Sequence, residues 1–288
     1  MEKPLVSIII ATYNRERCIK KALESALNQN YKNFEVIVID DSENNKTEKI
    51  IEFLNRKEIK YIKNEVRLGF VKSLNKGIAM AQSKYIARLD DDDFWCNPEK
   101  IEKQVKFLEE NPVYVLVGGG AILIDEKGKE LRRFLPPERD DKIRELMLRD
   151  CLFLHSTVVF KKNIWELTHG YDEKLDSAED WDLWLRFGEF GKFYNFQEYF
   201  IYFLQAEQGR TQYIRRQNTW THLKLMRKYR KKYPNFYKAF LVGLISYFYS
   251  FFPRPKWFRF KVLSKLKNML LGYQIYPKIQ KDDKRQNK

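Results

Sequence analysis

The first 110 residues alternate short runs of aliphatic and β-branched residues with stretches in which apolar residues recur every three or four positions. The short runs predict strands, and the stretches between them predict amphipathic helices. This alternation is typical of right-handed crossovers, which build a parallel sheet covered by helices on both faces. The predicted strands are 5–11, 34–39, 59–62 and 85–89, and the predicted helices are 15–29, 45–56 and 70–82. We therefore expect an α/β fold with a Rossmann-like, mostly parallel central sheet.

The pattern is less regular beyond this point. Asn97-Pro98-Glu99 has the form of a helix start, with an N-cap residue followed by proline and an acid, and this helix should end near Glu110. Further predictions are strands at 113–124, 156–160 and 192–204, and helices at 140–149 and 179–188. The Gly118-Gly119-Gly120 triplet inside a strand indicates a bulge or a close backbone approach. We expect one main domain over residues 1–210.

The positive charge is concentrated in the last part of the chain. Residues 211–288 contain 20 Lys and Arg against two acidic residues, whereas residues 1–210 contain 34 basic and 37 acidic residues. The chain thus joins a nearly neutral body to a strongly basic extension. Within the extension the pattern predicts helices at about 211–231, 236–252 and 257–271.

Cysteine content and the first residues bear on the compartment. Cys18, Cys96 and Cys151 are scattered and lack the spacing of a zinc site or a disulfide framework, which favours a reducing environment. The first apolar run, 5–11, is too short for the core of a secretory signal. We expect a cytoplasmic, globular protein.

Polar residues follow each of the first four predicted strands. They are Thr12 to Arg15, Asp40 to Ser42, Asn64 to Gly69, and Asp90 to Asp93. In an open parallel sheet, ligands bind beyond the carboxyl ends of the strands, where these segments should meet. Two carboxylate clusters and two arginines are therefore expected at one edge.

The four consecutive aspartates Asp90 to Asp93 are the most informative of these segments. Adjacent carboxylates repel one another unless a cation lies among them, and hard oxygen ligands suit Mg²⁺ or Mn²⁺. The alternative is a solvated turn or a helix cap, but Asn97 already serves as the cap of the next helix. The sequence therefore favours a metal site.

Asp41 and Arg67 are candidate ligand contacts. A carboxylate at the end of the second strand can accept hydrogen bonds from a ribose or a base, and arginine suits a phosphate or a base. An ordinary acidic turn and a surface charge are the alternatives. The chain has neither GxxxxGK[ST] nor GxGxxG after its first strand, so a diphosphate would depend on metal for neutralisation.

A second cluster lies in 177–186. Asp180 and Glu179 stand beside Trp181, which offers an apolar surface for a sugar ring, and aromatic neighbours would raise the pKa of a carboxyl toward that of a general base. The alternative is a capping box formed by Ser177 and Asp180 at the start of a helix. His155, just before a strand, is a candidate contact on the acceptor side, and the alternative is a structural histidine whose hydrogen bonds are satisfied within the fold.

Taken in order, these motifs resemble the family 2 glycosyltransferases. Val6 to Arg15, Val38 to Ser42 and Asn64 to Gly69 are similar to the amino-terminal half of that family. Ala87 to Asp93 looks like its DxD segment, and Glu179-Asp180 looks like its later ED motif. The resemblance covers roughly residues 4–205 and implies a GT-A fold, a nucleotide-diphosphate sugar donor, Mg²⁺ or Mn²⁺, and inversion at the anomeric carbon.

The resemblance also implies roles. Asp180, aided by Glu179, would be the general base; Asp92 would bind the metal, with Asp90 assisting it or contacting ribose. The nucleotide contacts would be Thr12, Tyr13, Arg15, Asp41, Arg67, Asp90 and Asp91. Residues 1–110 would form the nucleotide-binding half, and 111–210 the acceptor-binding half. The acceptor could be a sugar, a lipid-linked sugar or a protein, in cell-surface polysaccharide or glycolipid synthesis.

The basic extension leaves several interpretations open. Residues 239–252 carry no charge and are too few to span a bilayer, whereas 236–271 would suit an anionic membrane surface, such as the inner face of the plasma membrane. The alternative is packing on the body or on a second subunit.

Three rival functions remain for the whole chain. One is an inactive nucleotide-sugar-binding scaffold, and another is a nucleotidyl or phosphoryl transferase, although the chain lacks a phosphate loop. The third is a nucleic-acid-binding protein, which the strand-end aspartates disfavour.

Overall fold

The computed structural model describes residues 5–205 and 215–251 of the chain. The strands are β1 (Val6–Thr12), β2 (Phe34–Asp40), β3 (Ile59–Lys63), β4 (Tyr85–Arg88), β5 (Phe94–Trp95), β6 (Tyr114–Ile124), β7 (Glu130–Phe134), β8 (Val159–Lys161) and β9 (Lys192–Leu204). The helices are α1 (Glu16–Leu27), α2 (Lys46–Leu54), α3 (Phe70–Met80), α4 (Lys100–Glu110), α5 (Asp140–Leu146), α6 (Lys162–Leu167), α7 (Glu179–Phe187), α8 (Arg215–Lys228) and α9 (Phe236–Tyr249).

The amino-terminal half forms the predicted parallel sheet. β1 lies between β2 and β4, β3 is the outer neighbour of β2, and all three pairings are parallel. The four strands and three helices predicted for this half are confirmed to within two residues at each end. Every residue of β1 is buried because helices cover both faces of the sheet. The α/β fold class is therefore confirmed.

Alternate residues of the strands face opposite cores. Ile9 and Ile37 contribute to a core shared with α3, α5, α7, α8 and α9. Ile8, Ile10 and Val38 contribute to a second core, shared with α1 and α4. This separation follows from the two-residue period of a strand. The strands stay rigid because both faces are packed, and their carboxyl ends can therefore hold the site in place.

In the carboxyl-terminal half the sheet is mixed. In the part of the chain described, nine strands follow the order β3-β2-β1-β4-β8-β6-β9-β5, with β7 beside β6. β8 runs antiparallel to β4 and to β6, while β9 runs parallel to β6. The register between β6 and β9 shifts at Gly118–Gly120, which confirms the predicted irregularity.

The sequence prediction was wrong for part of 156–160. Residues His155–Thr157 form a 3-10 turn, and the strand is confined to Val159–Lys161. Hydrogen bonds explain the turn, because Thr157 donates both its backbone nitrogen and its hydroxyl to the carbonyl of Leu154. Strands β5 and β7 and helix α6 were also not predicted. They are short, and short elements carry little periodicity.

The described part of the basic extension packs on the body. Leu223, Met226 and Tyr229 of this extension join the core that contains Trp184 of α7. Asp182, which is fully buried in α7, accepts hydrogen bonds from Lys228 Nζ and Tyr229 Oη, both at 2.9 Å. Helices α8 and α9 match two of the predicted tail helices, and the third, 257–271, lies outside the described residues. Over the described ranges, no helix combines the length and apolarity that crossing a bilayer requires.

Candidate active site

The carboxyl ends of β1, β2 and β4 bring the predicted polar segments to one edge of the sheet. Thr12 pairs with Asp40 in the parallel register of β1 and β2, and Ile9 pairs with Arg88 in that of β1 and β4. The segments that follow these three strands therefore begin at the same edge of the sheet. Thr12 Oγ1 donates a hydrogen bond of 2.7 Å to Asp91 Oδ2, which ties the first of these segments to the fourth.

Asp41 organises the loop after β3. Its Oδ1 accepts hydrogen bonds from Asn64 Nδ2 at 2.6 Å and from the backbone nitrogen of Leu68 at 3.2 Å. Its Oδ2 accepts from the backbone nitrogen of Gly69 at 2.8 Å and from Ser73 Oγ at 3.0 Å. Gly69 has φ of +89°, which favours glycine. Asp41 is buried. Its hydrogen bonds therefore fix the loop that carries Arg67.

Arg67 and Tyr13 form a stacked pair at the rim. The guanidinium carbon of Arg67 lies 3.8 Å from the centroid of the Tyr13 ring. Arg67 is exposed and Tyr13 half-buried. A flat, partly accessible pair of this kind offers a stacking surface and hydrogen-bond donors for an aromatic base.

The aspartate loop, Asp90–Asp93, gives each carboxylate a different partner. Asp90 Oδ1 accepts from Arg88 Nη2 at 2.8 Å, and Asp92 Oδ2 accepts from Arg15 Nη1 at 2.9 Å. Asp93 is buried, and its oxygens accept from Ser156 Oγ and the backbone nitrogen of Leu204. Asp93 therefore anchors the loop, while the side chains of Asp90 and Asp92 remain partly accessible.

Negative charge in this loop exceeds what its two arginines neutralise. Burial, followed by the charge of Asp92, raises the pKa of Asp91 to about 7. Burial, followed by the charge of Asp90, also raises the pKa of Asp92. Carboxyl groups with raised pKa values are held in a field that a bound cation would relieve.

The donor set fits a divalent ion bound together with phosphates. Among the residues described, no group of three or more His, Cys, Asp or Glu side chains is arranged to hold a metal ion. Mg²⁺ in nucleotide sites commonly takes only one or two carboxylates and completes its shell with phosphate and water oxygens. Asp90 and Asp92 supply carboxylate oxygens of the required hardness at a partly accessible rim.

The second cluster lies at the amino end of α7. Burial, followed by the charge of Glu179, raises the pKa of Asp180 to about 7, and the charge of Asp90 acts in the same direction. Asp180 Oδ1 accepts a hydrogen bond from the backbone nitrogen of Trp181 at 2.7 Å, and Cys151 Sγ lies 3.6 Å from Oδ2. The charge of Asp90 contributes to this shift, so the two carboxylate clusters lie within electrostatic range of each other.

The structure does not contain the capping box that was the alternative explanation for Asp180. Ala178, in a left-handed conformation with φ of 60°, is the N-cap of α7, and it makes no side-chain cap hydrogen bond. Within the described chain the buried Ser177 hydroxyl has no hydrogen-bond partner. The acids of this turn are therefore not explained by capping.

Trp181 does not have the accessibility that an acceptor platform needs. It is 1% exposed, and its indole nitrogen donates a hydrogen bond of 2.7 Å to the carbonyl of Met147. Its ring contacts His222 of α8 edge-on, with 4.8 Å between centroids. This corrects the sequence prediction: position 181 is at the inner side of α7, and its ring packs in the core.

Sequence reasoning missed a buried network that supports Asp90. Arg88 is fully buried in β4, and besides Asp90 it donates from Nε to His155 Nε2 at 3.1 Å. His155 Nε2 also lies 2.7 Å from the hydroxyl of Tyr171. Since Nε2 accepts from Arg88, the imidazole hydrogen is on Nδ1, which lies 3.7 Å from Asp90 Oδ1. A charged residue in an otherwise apolar strand was the one signal for this network.

His155 is consequently enclosed by the network. Burial, followed by the charge of Arg88, lowers the pKa of His155 well below its ordinary value. The ring is therefore neutral near pH 7. The side chain of His155 lies between Arg88 and Tyr171, and its contacts there are those of a structural residue.

Solved structures define the class of fold to which this site belongs. The mannosyltransferase PcManGT of Pyrobaculum calidifontis, solved in complex with GDP-Man and Mn²⁺, superposes with a TM-score of 0.63 and 16% sequence identity. The match covers 94% of this chain and 76% of that chain. The fold is GT-A.

Sequence comparison places the chain more narrowly. The profile of glycosyl transferase family 2 matches residues 7–166, which are more than half of the 288 residues. The chain belongs to this family.

Individual relatives agree with this assignment. The chain is similar to the uncharacterized glycosyltransferase MJ1057 of Methanocaldococcus jannaschii, with 40% identity over 191 residues, 65% of each chain. It is also similar to the amylovoran biosynthesis glycosyltransferase AmsE of Erwinia amylovora, with 32% identity over 186 residues, 63% of this chain and 69% of that protein. The chain thus spans just under two thirds of the length of MJ1057.

Proposed function

We propose that this protein transfers a sugar from a nucleotide-diphosphate sugar to an acceptor hydroxyl, with inversion at the anomeric carbon. One observation carries the proposal: Asp180, a buried carboxyl group with a pKa raised to about 7, lies within electrostatic range of Asp90 in the aspartate loop. Asp180 would then serve as a general base suited to neutral pH, and the aspartate loop would hold the cation of a diphosphate.

The nucleotide would bind at the carboxyl edge of the parallel strands. The stacked pair of Tyr13 and Arg67 would receive the base, and Asp41 would contribute through the loop that it fixes. Thr12, Arg15, Asp90 and Asp91 would line the path of the ribose and diphosphate. PcManGT, which shares the fold, was solved with GDP-Man, and this supports a nucleotide-sugar donor for the present chain.

Asp92, with Asp90, would hold Mg²⁺ or Mn²⁺. When bound, such an ion stabilises negative charge on the departing diphosphate. Arg15, which is already paired with Asp92, brings a further positive charge to the same place. The solved complex of PcManGT with GDP-Man and Mn²⁺ supports the use of a divalent ion.

Asp180 would remove the proton from the acceptor hydroxyl as the acceptor oxygen attacks the anomeric carbon. The new carbon–oxygen bond forms on the face opposite the nucleotide, the bond to the diphosphate oxygen breaks, and the nucleotide diphosphate leaves with the electron pair. The proton is then on Asp180. Glu179 would act on this step by raising the pKa of Asp180.

We further propose an acceptor that belongs to cell-surface polysaccharide or glycolipid synthesis, on the cytoplasmic side of the membrane. The name of AmsE, which assigns it to amylovoran biosynthesis, supports a polysaccharide role. A protein acceptor would be an alternative outcome of the same experiments.

A thermal-shift panel tests the donor proposal directly. UDP-, GDP- and dTDP-sugars are added to the full chain with and without Mn²⁺. One nucleotide sugar should raise the melting temperature, and Mn²⁺ should increase the shift, because a ligand that binds only the folded state stabilises it. The panel would contradict the proposal if no nucleotide sugar shifted the transition in either condition. Binding without transfer to any acceptor would instead favour an inactive nucleotide-sugar-binding scaffold.

A further inference from the structure

Helix α9 exposes large apolar side chains on one side. Tyr237 is 86% exposed, Leu241 50%, Phe248 62%, and Phe251, just beyond the helix, 45%. These positions are separated by four, seven and three residues, so they share one side of a helix. Trp220 of α8, 48% exposed, extends this surface, because its ring lies 5.6 Å from that of Tyr247, which in turn lies 5.9 Å from the ring of Phe248. We call these five residues, Trp220, Tyr237, Leu241, Phe248 and Phe251, the apolar stripe.

The stripe is not needed to hold α9 on the body. The opposite side of the helix does that, through Ala239 and Val242, which are buried in the core. Gly243 allows close contact with Leu223 and Met226 of α8. The side that packs and the side that is exposed are therefore distinct.

Positive charge lies beside two members of the stripe, Trp220 and Tyr237. Residues 215–251 contain nine Lys and Arg and no Asp or Glu. Lys224 and Arg227 are exposed at one and two turns after Trp220, and Lys224 Nζ lies 5.7 Å from the centroid of the Trp220 ring. Lys238, beside Tyr237, is also exposed. A partner of the stripe must therefore combine an apolar interior with negative charge near Trp220 and Tyr237.

We propose that the apolar stripe docks the protein on an anionic lipid bilayer, with α9 lying in the plane of the interface. Acyl chains would receive Leu241 and Phe248, aromatic rings would lie at the level of the headgroups, and Lys224, Arg227 and Lys238 would contact lipid phosphates. The helix is about 21 Å long at 1.5 Å per residue, which is shorter than the hydrocarbon core.

Other occupants fit the charge less well. A second copy of the chain would place two surfaces of the same sign against each other. Residues 252–288 contain eleven basic and two acidic residues, so this segment would add positive charge to a surface that is already positive. A nucleic acid would neutralise the cations but would not bury an aliphatic side chain such as Leu241. The bilayer satisfies both the apolar and the electrostatic requirement.

Docking of this kind would bring the candidate active site to the membrane. Helix α7 carries Asp180, and two residues later Asp182 binds Lys228 and Tyr229 at the end of α8. The base and the membrane-docking helices are thus directly linked. A lipid-linked acceptor is the class of substrate that this link favours. That consequence rests on the proposed glycosyl transfer, whereas the docking itself does not.

Vesicle flotation of the full chain tests the docking without any measurement of activity. The vesicles contain either phosphatidylcholine alone or phosphatidylcholine with phosphatidylglycerol. The wild-type chain should float with the anionic vesicles and remain behind with the neutral ones. The double substitution Leu241→Glu/Phe248→Glu should weaken binding to anionic vesicles on the order of tenfold or more, since it places charge where acyl chains would lie.

Phe53→Glu is the matched control, because Phe53 is 75% exposed on α2, far along the chain from the stripe, and should leave flotation unchanged. Thermal melting verifies that each variant is folded. If the double variant does not fold, Lys224→Glu/Lys238→Glu takes its place and should also reduce binding, since it reverses two charges beside the stripe.

Three results would overturn the proposal. The first is equal flotation of wild type and stripe variant. The second is a wild-type dimer in light scattering that the stripe variant converts to a monomer, with no flotation of either. The third is binding to a single-stranded oligonucleotide that depends on Leu241 and Phe248, again without flotation. The thermal-shift panel for nucleotide sugars is independent of all three, so failure of the docking and failure of the proposed transfer are distinguishable.

Discussion

Arg88 Nη2 and Asp90 Oδ1 form an ion pair of 2.8 Å at the end of β4, and the side chain of Arg88 is completely buried. The same guanidinium also donates to the carbonyl of Ile9 in the neighbouring strand and to His155. A single side chain thus joins the sheet, the aspartate loop and the 3-10 turn. Because its position is set by packing on both faces of the sheet, Asp90 is held in one place before any ligand binds.

Replacement of Arg88 by alanine is expected to lower the free energy of unfolding by about 3 kcal/mol, because it leaves buried acceptors without their charged donor. Urea denaturation measures this change. Arg139→Ala is the control, since Arg139 pairs with Asp141 at the surface, and should change stability by less than about 1 kcal/mol. Equal effects of the two substitutions would show that the Arg88 network does not stabilise the fold.

Asp41→Asn is expected to loosen the loop from Asn64 to Gly69 and to weaken donor binding. The amide keeps the shape, but its Nδ2 cannot accept, so two of the four hydrogen bonds are lost and the other two lose the strengthening charge, at a cost of about 2 kcal/mol. The measurements are urea denaturation and the Kd of the donor identified by thermal shift.

Asp125→Asn is the control for this substitution. Asp125 Oδ1 accepts from the backbone nitrogens of Lys127 and Lys129, both at 2.9 Å, in the turn between β6 and β7. It should leave donor affinity unchanged, because that turn lies outside the site. A donor Kd that stays at its wild-type value in Asp41→Asn would remove Asp41 from the nucleotide site.

Local sequence pattern identified Asp180 as a candidate but did not reveal the contacts of Arg88. Periodicity located β4 and the aspartate run after it, but a pattern does not say where one long side chain goes within a packed sheet. Arg88 reaches His155, 67 residues away in sequence, and that contact depends on how β8 enters the sheet. Long-range contacts of this kind are not encoded in local spacing.

Trp181 is the opposite case, in which local pattern suggested a site contact for a residue that the structure buries. Its position beside two acids suggested a surface for a sugar, yet its indole lies against Met147 and His222. The sequence predicted the helix but not which of its sides faces the core. That side is set by α8 of the basic extension, whose His222 covers Trp181. By contrast, the parallel strands and the edge at which their polar segments meet could be predicted, since both follow from local pattern and from the geometry of crossovers.

Asp180→Asn is expected to lower kcat on the order of a thousandfold while leaving donor affinity unchanged. The amide cannot accept the proton of the acceptor hydroxyl, and general-base catalysis is worth about 10²–10⁴ in rate. Steady-state kinetics and a donor titration supply the two readouts. Glu166→Gln, an exposed substitution on α6, is the control and should retain wild-type kcat. A variant at position 180 with nearly full turnover would exclude Asp180 as the base.

The pH dependence of kcat gives a separate prediction. A base must be ionised to accept a proton, so kcat should increase as pH rises through about 7, the pKa of Asp180, and level off above it. Glu179→Gln removes a negative charge that raises this pKa, so the increase should move to lower pH. It should stay above the range of an ordinary aspartate, because burial is the larger cause. A profile that does not move in Glu179→Gln would show that the group titrating is not Asp180.

Simultaneous Asp90→Asn and Asp92→Asn substitution is expected to abolish the part of the donor thermal shift that depends on Mn²⁺. The two amides are poor ligands for a hard cation, and the remaining Asp91 and Asp93 are occupied by Thr12 and Ser156. Without metal the variant should also melt below wild type, because Asp90→Asn leaves the buried guanidinium of Arg88 without its charged partner, which outweighs the reduced repulsion between neighbouring carboxylates. Asp125→Asn, again the control, should keep the full Mn²⁺ effect. The readout is thermal stability and not turnover, so it does not depend on whether the variant still transfers sugar. A Mn²⁺-dependent shift that persists in the double variant would place the ion elsewhere and would rule out the role proposed for the aspartate loop.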